Sequence, residues 1–194
     1  WAGTQDWSNG KVGMLGISYY AINQWKVASM QPPHLAAIIP WEGSNDHYRD
    51  AAYHGGILNQ VTQLWSKVQV ADVQYGRGEN AKKNPNTGEL VAGPITLSDE
   101  ELEQNRINYF DQLKSHPLDD EWHQSLTADL SKVTVPLLTC ANWGGQGIHP
   151  RGNHNGYIES ASKQKWLEAH GDSHWSLFSS GYGLNLQKKF FDHF

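Results

Sequence analysis

Cysteine is almost absent from this chain of 194 residues: Cys140 stands alone. One thiol excludes an internal disulfide and a metal site built from several cysteines. It fits a reducing compartment, so a cytoplasmic setting is expected. No apolar run is long enough to span a bilayer, and the N-terminus lacks the pattern of a secretion signal. Charge is sparse, with Asp, Glu, Lys and Arg at 18% and a formal net charge of −5. That balance supplies no electrostatic reason for a nucleic acid or an anionic membrane as partner. Internal repeats and low-complexity segments are missing too. So is an initial methionine: the chain opens on Trp1 and runs almost at once into an apolar strand, and it reads as a fragment. What is present is the 38% hydrophobic make-up of a globular domain, and nine tryptophans. Large aromatics carry much apolar area, so most are expected in packing and some as walls of a pocket for an apolar substrate.

The apolar period switches several times along the chain. Residues 11–16 (KVGMLG) read as a short buried strand. Residues 19–30 (YYAINQWKVASM) read as a helix, with Ile22, Trp25, Val27 and Met30 near helical spacing, closed by Pro32 and Pro33. LAAIIP (35–40), VPLLTCA (135–141) and KQKWLEAHG (163–171) read as further buried strands, and GYGLNLQKKFFDHF as an amphipathic C-terminal helix. GRGENAKKNPNTGEL is polar and rich in turn residues, a surface loop. TLSDEELEQNRINYFDQLKSHP predicts one long helix. Ser98 and Glu101 form its capping box, Leu102, Tyr109, Phe110 and Leu113 its apolar stripe, and Pro117 follows its end. Buried strands alternating with helices imply an α/β fold, a mostly parallel sheet with helices on both faces.

The decisive stretch is KVGMLGISYYAINQW, residues 11–25. A strand that ends in Gly-X-Ser and passes directly into a helix has the layout of a nucleophile elbow. Gly16 is small enough for the tight turn, and the Ser18 hydroxyl would stand clear at the carboxyl end of the strand. The start of the helix offers backbone N–H groups, that of Tyr19 among them, to a developing oxyanion. A serine before a helix is also a common N-cap without chemistry. The general G-x-S-x-G is broken here, because Tyr20 stands where the second glycine belongs. A nucleotide-binding reading of GMLGIS fails: the glycine spacing is not G-x-G-x-x-G, and no ribose-binding acid follows about 20 residues on.

GISYYAINQW, PPHLAAIIPWEG, DHYRD, HGG, VPLLTCANWGGQG and KQKWLEAHGDSHW together resemble the CocE/NonD and X-Pro dipeptidyl-peptidase-like serine hydrolases, in the right order and over nearly the whole chain. Members of that group carry G-x-S-Y-x-G/A-x-x-Q-W at the elbow, so Tyr20 with Ala21 suits their pattern. The resemblance implies an α/β-hydrolase fold in which residues 11–15 are the nucleophile strand, 35–40 the sixth strand and 135–140 the seventh. It implies a helical cap insertion over residues 53–131. It puts the first half of the sheet before Trp1 and a β-sandwich domain after Phe194. It also implies no cofactor and no metal, and a small-molecule ester or amide as substrate. Ester, β-lactam side-chain amide and X-Pro peptide chemistries all occur among such relatives. The oligomeric state stays open.

A serine hydroxyl needs a base, and the chain order Ser, then acid, then His asks for a late histidine. His174 in HGDSHW sits where the group's histidine is usually written GPWxH, although Trp175 follows it here. His170 is the rival, at a strand end and read as structural. His149 and His154 (HPRGNH) have no cysteine partner and no acid pair nearby, so they read as a loop lining the site and not as metal ligands. The group's usual acid, the aspartate of GWxD after the seventh strand, is missing: Asn142-Trp143-Gly144-Gly145-Gln146 stands there. Glu42, directly after the sixth strand in IIPWEG, is the candidate replacement, with a plain surface carboxylate as its alternative reading. Asp46 comes next, then a dyad helped by Asn142 or Gln146, while Asp172 is too close to His174 in sequence. The expected machinery is therefore Ser18, His174 and Glu42, with Tyr19 at the oxyanion, in a serine hydrolase working through an acyl-enzyme. The other reading is a non-catalytic relative that has lost the GWxD aspartate and binds a ligand or partner.

Overall fold

Val12–Ile17 form strand β1, and the chain passes through Ser18 alone into helix α1 (Tyr19–Ser29). Strand β2 (Leu35–Trp41) follows. The computed structural model describes residues 1–94, 97–144 and 147–194, without the side chain of Gln74. These form two compact units, one of Trp1–Ala51 with Asp119–Phe194, the other of Ala52–Leu118. The second unit holds a hairpin of β3 (Tyr53–His54) and β4 (Ile57–Leu58), then α2 (Val61–Trp65), α3 (Asp99–Asn105) and α4 (Tyr109–Ser115). The first unit resumes with α5 (Glu121–Leu126), β5 (Leu137–Asn142), α6 (Pro150–Glu159), β6 (Lys165–His170) and α7 (Gly181–Phe191).

In the first unit β1, β2, β5 and β6 make one all-parallel sheet in that spatial order. Its central strands β2 and β5 are apolar along nearly their whole length, as strands covered on both faces must be. Side chains alternate across the sheet. Ala37, Ile39, Trp41, Leu138 and Cys140 pack with Ile17 against Phe190 of α7. Ile38 and Leu137 point the other way, onto Trp25 and Ala28 of α1 and onto Ala128, Leu130 and Val133. The Trp25 indole is fully buried and its Nε1–H donates to the Gly43 carbonyl at 3.2 Å, so its polar end is satisfied. Trp25→Ala would cost about 3–5 kcal/mol.

Because the four strands are parallel, their carboxyl ends share one edge. The register sets Ile17 beside Trp41, Trp41 beside Cys140, and Asn142 beside His170. Ser18, Glu42 and Trp143 are therefore the first residues to leave the sheet on that edge, where open parallel sheets hold their ligands.

The second unit differs from its sequence reading in one helix. The capping box forms as expected: Ser98 Oγ accepts from the Glu101 N–H at 3.2 Å, and Glu101 Oε2 accepts from the Ser98 N–H at 2.9 Å. The single long helix does not. The backbone is extended at Arg106 (ψ 136°), and Asn108 starts α4 by accepting from the Asp111 N–H at 3.2 Å. A short amide side chain competes with the helical backbone bond, and here it caps a new helix instead of continuing the old one. Leu113 of the expected stripe is fully buried, and the Tyr53 hydroxyl donates to its carbonyl at 2.9 Å. Residues 119–131 belong to the first unit.

Candidate active site

Ser18 has φ 60° and ψ −118°, a conformation that costs a residue with a Cβ on the order of 1–3 kcal/mol. Its surroundings impose it. The Ser18 N–H points to the carbonyls of Trp41 (3.0 Å) and Glu42 (3.1 Å), and its own carbonyl accepts from Ala21 and Ile22, each at 2.9 Å. Gly16 makes the turn possible, since a Cβ there would lie 2.4 Å from the Tyr20 Cβ. Ser18 occupies the N-cap position of α1, yet its side chain makes no capping bond. The hydroxyl is turned instead to an imidazole: Oγ lies 3.1 Å from His149 Nε2. Tyr19 is the first residue of α1.

His149 reaches Ser18 because of α6, a segment the sequence reads as loop. Its Gly, Asn and His residues are poor helix formers, and tertiary contacts hold it. His149 is the N-cap and Pro150 opens the first turn. The fully buried Asn153 pins the helix to the sheet: Oδ1 accepts from the Gly43 N–H (2.9 Å), while Nδ2 donates to the Pro40 carbonyl (3.0 Å) and Thr139 Oγ1 (2.8 Å). Gly152 and Gly156 permit the approach, because a Cβ would lie 2.4 Å from Ser44 Cα at the first and 2.3 Å from the Trp25 ring at the second.

Glu42 follows β2 directly, in a left-handed conformation (φ 51°) and fully buried. Its Oε2 lies 2.5 Å from His174 Nδ1. Its Oε1 lies 3.1 Å from His170 Nε2 and accepts from Asn142 Nδ2 at 3.2 Å. His170 Nδ1 in turn lies 2.6 Å from Glu168 Oε2. Burial by itself would raise the Glu42 pKa. Hydrogen bonds from His174 and His170, the charge of His174 and the Asn142 amide outweigh it and hold the carboxyl below its ordinary range. An ionised carboxylate on Nδ1 fixes the His174 tautomer and leaves Nε2 as the basic atom. The His174 ring stacks on that of His149, centroids 5.1 Å apart and planes within 11°.

Structure thus brings Glu42 to His174, and gives Ser18 a hydrogen bond to His149, with none to His174 among the described residues. The sequence reads His149 as part of a loop lining the site and misses its helix; the available signal is the small-residue spacing Gly152/Gly156 together with Asn153 one turn after the histidine. The other acids lie elsewhere. Asp46 accepts from the Arg49 N–H (2.8 Å) and guanidinium (3.1 Å), and Asp172 Oδ1 accepts from the Ser173 N–H. Asn142 serves Glu42 and the Asp172 carbonyl, while Gln146 lies outside the described residues. His154 Nδ1 contacts the Pro150 carbonyl. Among the described residues no group of three or more His, Cys, Asp or Glu side chains could hold a metal ion.

Residues 1–176 match the X-Pro dipeptidyl-peptidase (S15) family. The chain belongs to it. This S15 chain is 32% identical to cocaine esterase of Rhodococcus sp. (strain MB1 Bresler), over 74% of this chain and 28% of that protein. A CocE/NonD family hydrolase from Staphylococcus aureus has a similar structure, with TM-score 0.81 and 37% identity over 100% of this chain and 30% of that one. An aminopeptidase from a marine-sediment Thaumarchaeota archaeon shares the fold, with TM-score 0.63 and 19% identity over 96% of this chain and 35% of that one. The fold is therefore of the α/β-hydrolase type, and the chain spans 28–35% of these relatives' own lengths.

Proposed function

We propose that this S15 chain carries the acyl-transfer centre of a serine hydrolase that cleaves a small-molecule ester or amide. The observation that carries the reading is Ser18. A strained residue between strand and helix holds a hydroxyl that caps nothing and faces an imidazole at 3.1 Å. Backbone strain of this kind persists only where the surrounding structure enforces it, and it gathers at functional sites.

In the proposed cycle Ser18 Oγ turns to His174 and attacks the substrate carbonyl, while its proton passes to His174 Nε2. Glu42 steadies the imidazolium through Nδ1–H. The Tyr19 N–H is assigned to the oxyanion. His174 returns the proton to the departing alcohol or amine, leaving an acyl-enzyme on Ser18. Water then gives its proton to His174 and attacks the ester, and the acid leaves as the Ser18 hydroxyl is restored. The insertion between β2 and β5 is proposed as the cap expected over residues 53–131.

The test of the nucleophile is Ser18→Ala on a short p-nitrophenyl ester. The expected rate is below about a hundredth of wild type with the fold intact by circular dichroism. A higher residual rate would sink the assignment. The replaced GWxD aspartate favours a second reading, a binder without chemistry, and loss-free Ser18→Ala together with ligand binding would support it.

A further inference from the structure

We infer that His149 is a further catalytic residue, a neutral imidazole whose Nε2–H donates to Ser18 Oγ and so directs the serine's own proton to His174. The inference rests on Ser18 being the nucleophile. Its geometry is the 3.1 Å contact between Oγ and Nε2, on a residue only 2% exposed. The other ring nitrogen, Nδ1, is buried and has no hydrogen-bond partner among the described residues.

That orphan decides the tautomer. A proton on Nδ1 would leave a buried N–H donor unpaired, whereas a proton on Nε2 leaves only an unused lone pair. Unpaired buried N–H groups are the rarer and costlier of the two. Nε2 therefore carries the hydrogen, and a nitrogen that donates to Oγ cannot also take the proton from Oγ. The base must be the neighbouring ring. His174 stacks against His149, and of these two rings His174 is the one with the Glu42 carboxylate behind it.

Charge supports the division of labour. Burial first, then the neighbouring His174, push the His149 pKa from 6.5 to about 4, with Glu42 pulling the other way. His149 therefore stays neutral while His174 takes up and returns the proton. As the O–H bond of Ser18 breaks, negative charge grows on Oγ, and the buried His149 N–H faces it. The same donor meets Oγ again when the acyl-enzyme is hydrolysed. No atom beyond those of the proposed cycle is required.

The test uses the full-length protein. His149→Phe keeps a stacking ring and removes the donor, while His149→Gln and His149→Asn restore an N–H. Expected for Phe is a fall of roughly 10²-fold in ester turnover and in the rate of fluorophosphonate labelling. The Gln or Asn variant should recover at least roughly tenfold of that loss. A Phe variant as fast as wild type overturns the inference, and so do three variants equally slow. Should the variants fail to fold, imidazole ¹⁵N spectra of the wild type decide instead. Neutral His149 protonated on Nε2 at neutral pH is expected; an Nδ1–H tautomer or an imidazolium contradicts it. Ser18→Ala separates the two readings. If it remains active, the nucleophile assignment fails; if it is dead while His149→Phe is active, only the role of His149 fails.

Discussion

Glu42 receives three donors on two oxygens, His174 on Oε2 and His170 with Asn142 on Oε1, and no part of it is exposed to water. Such a carboxylate is held by its partners. Glu42→Gln would turn an NH₂ toward a ring N–H or the Asn142 amide, leaving two buried donors face to face. The expected outcome is a kcat lower by roughly 10⁴ on the p-nitrophenyl ester, as for other losses of a triad acid. A loss of less than about tenfold in a folded variant would remove Glu42 from the mechanism. The sequence marks Glu42 as the candidate replacement acid by its place directly after a strand, with a surface carboxylate as the alternative. Its burial and its second histidine were not legible there, because both come from β5 and β6, more than 90 residues downstream in the chain.

At the scale of elements, α6 is the part that positions His149. It sets His149 against Ser18 by lying so close that Gly152 has the Ser44 and Asn45 backbone where a Cβ would be. Gly152→Ala should therefore push the helix outward. Overpacking of this kind costs typically about 1–3 kcal/mol, read as a lower urea midpoint, and esterase activity should fall further than stability alone explains. An alanine variant with unchanged midpoint and activity would show that the helix has slack. The strands and the β1–α1 junction were legible because their apolar runs and breakers are local signals. Helix α6 was not, since Asn153 and the two glycines stabilise it through contacts with β2, β5 and α1. The break between α3 and α4 escaped for the opposite reason: one Asn side chain overrode a helical pattern that was otherwise continuous.

For the molecule as a whole, a parallel sheet gathers residues distant in sequence at one edge, and His149 buried there, together with the half-buried His47, makes it sensitive to acid. His149 and His47 both have pKa values lowered from 6.5 to about 4, each by burial first, then by His174 and His123 respectively. Between pH 6.5 and 4 the unfolded chain takes up protons that the folded chain does not, so stability rises with pH through that window and is lost as pH falls. Glu42 adds to the loss lower down, because its contribution is present above 4.5 and disappears as pH falls through its lowered folded value. The His149 shift alone corresponds to on the order of 3 kcal/mol. Urea midpoints should therefore decline as pH drops below 6.5, and His149→Gln should flatten the decline. A midpoint constant down to pH 4 would contradict the buried neutral state.

The most direct test of Ser18 as a nucleophile is to label the full-length protein with a fluorophosphonate and map the modified peptide by mass spectrometry. One adduct on Ser18, absent after prior denaturation, is the expected result. No adduct, or one on another residue while Ser18 stays unmodified, would contradict the proposed function.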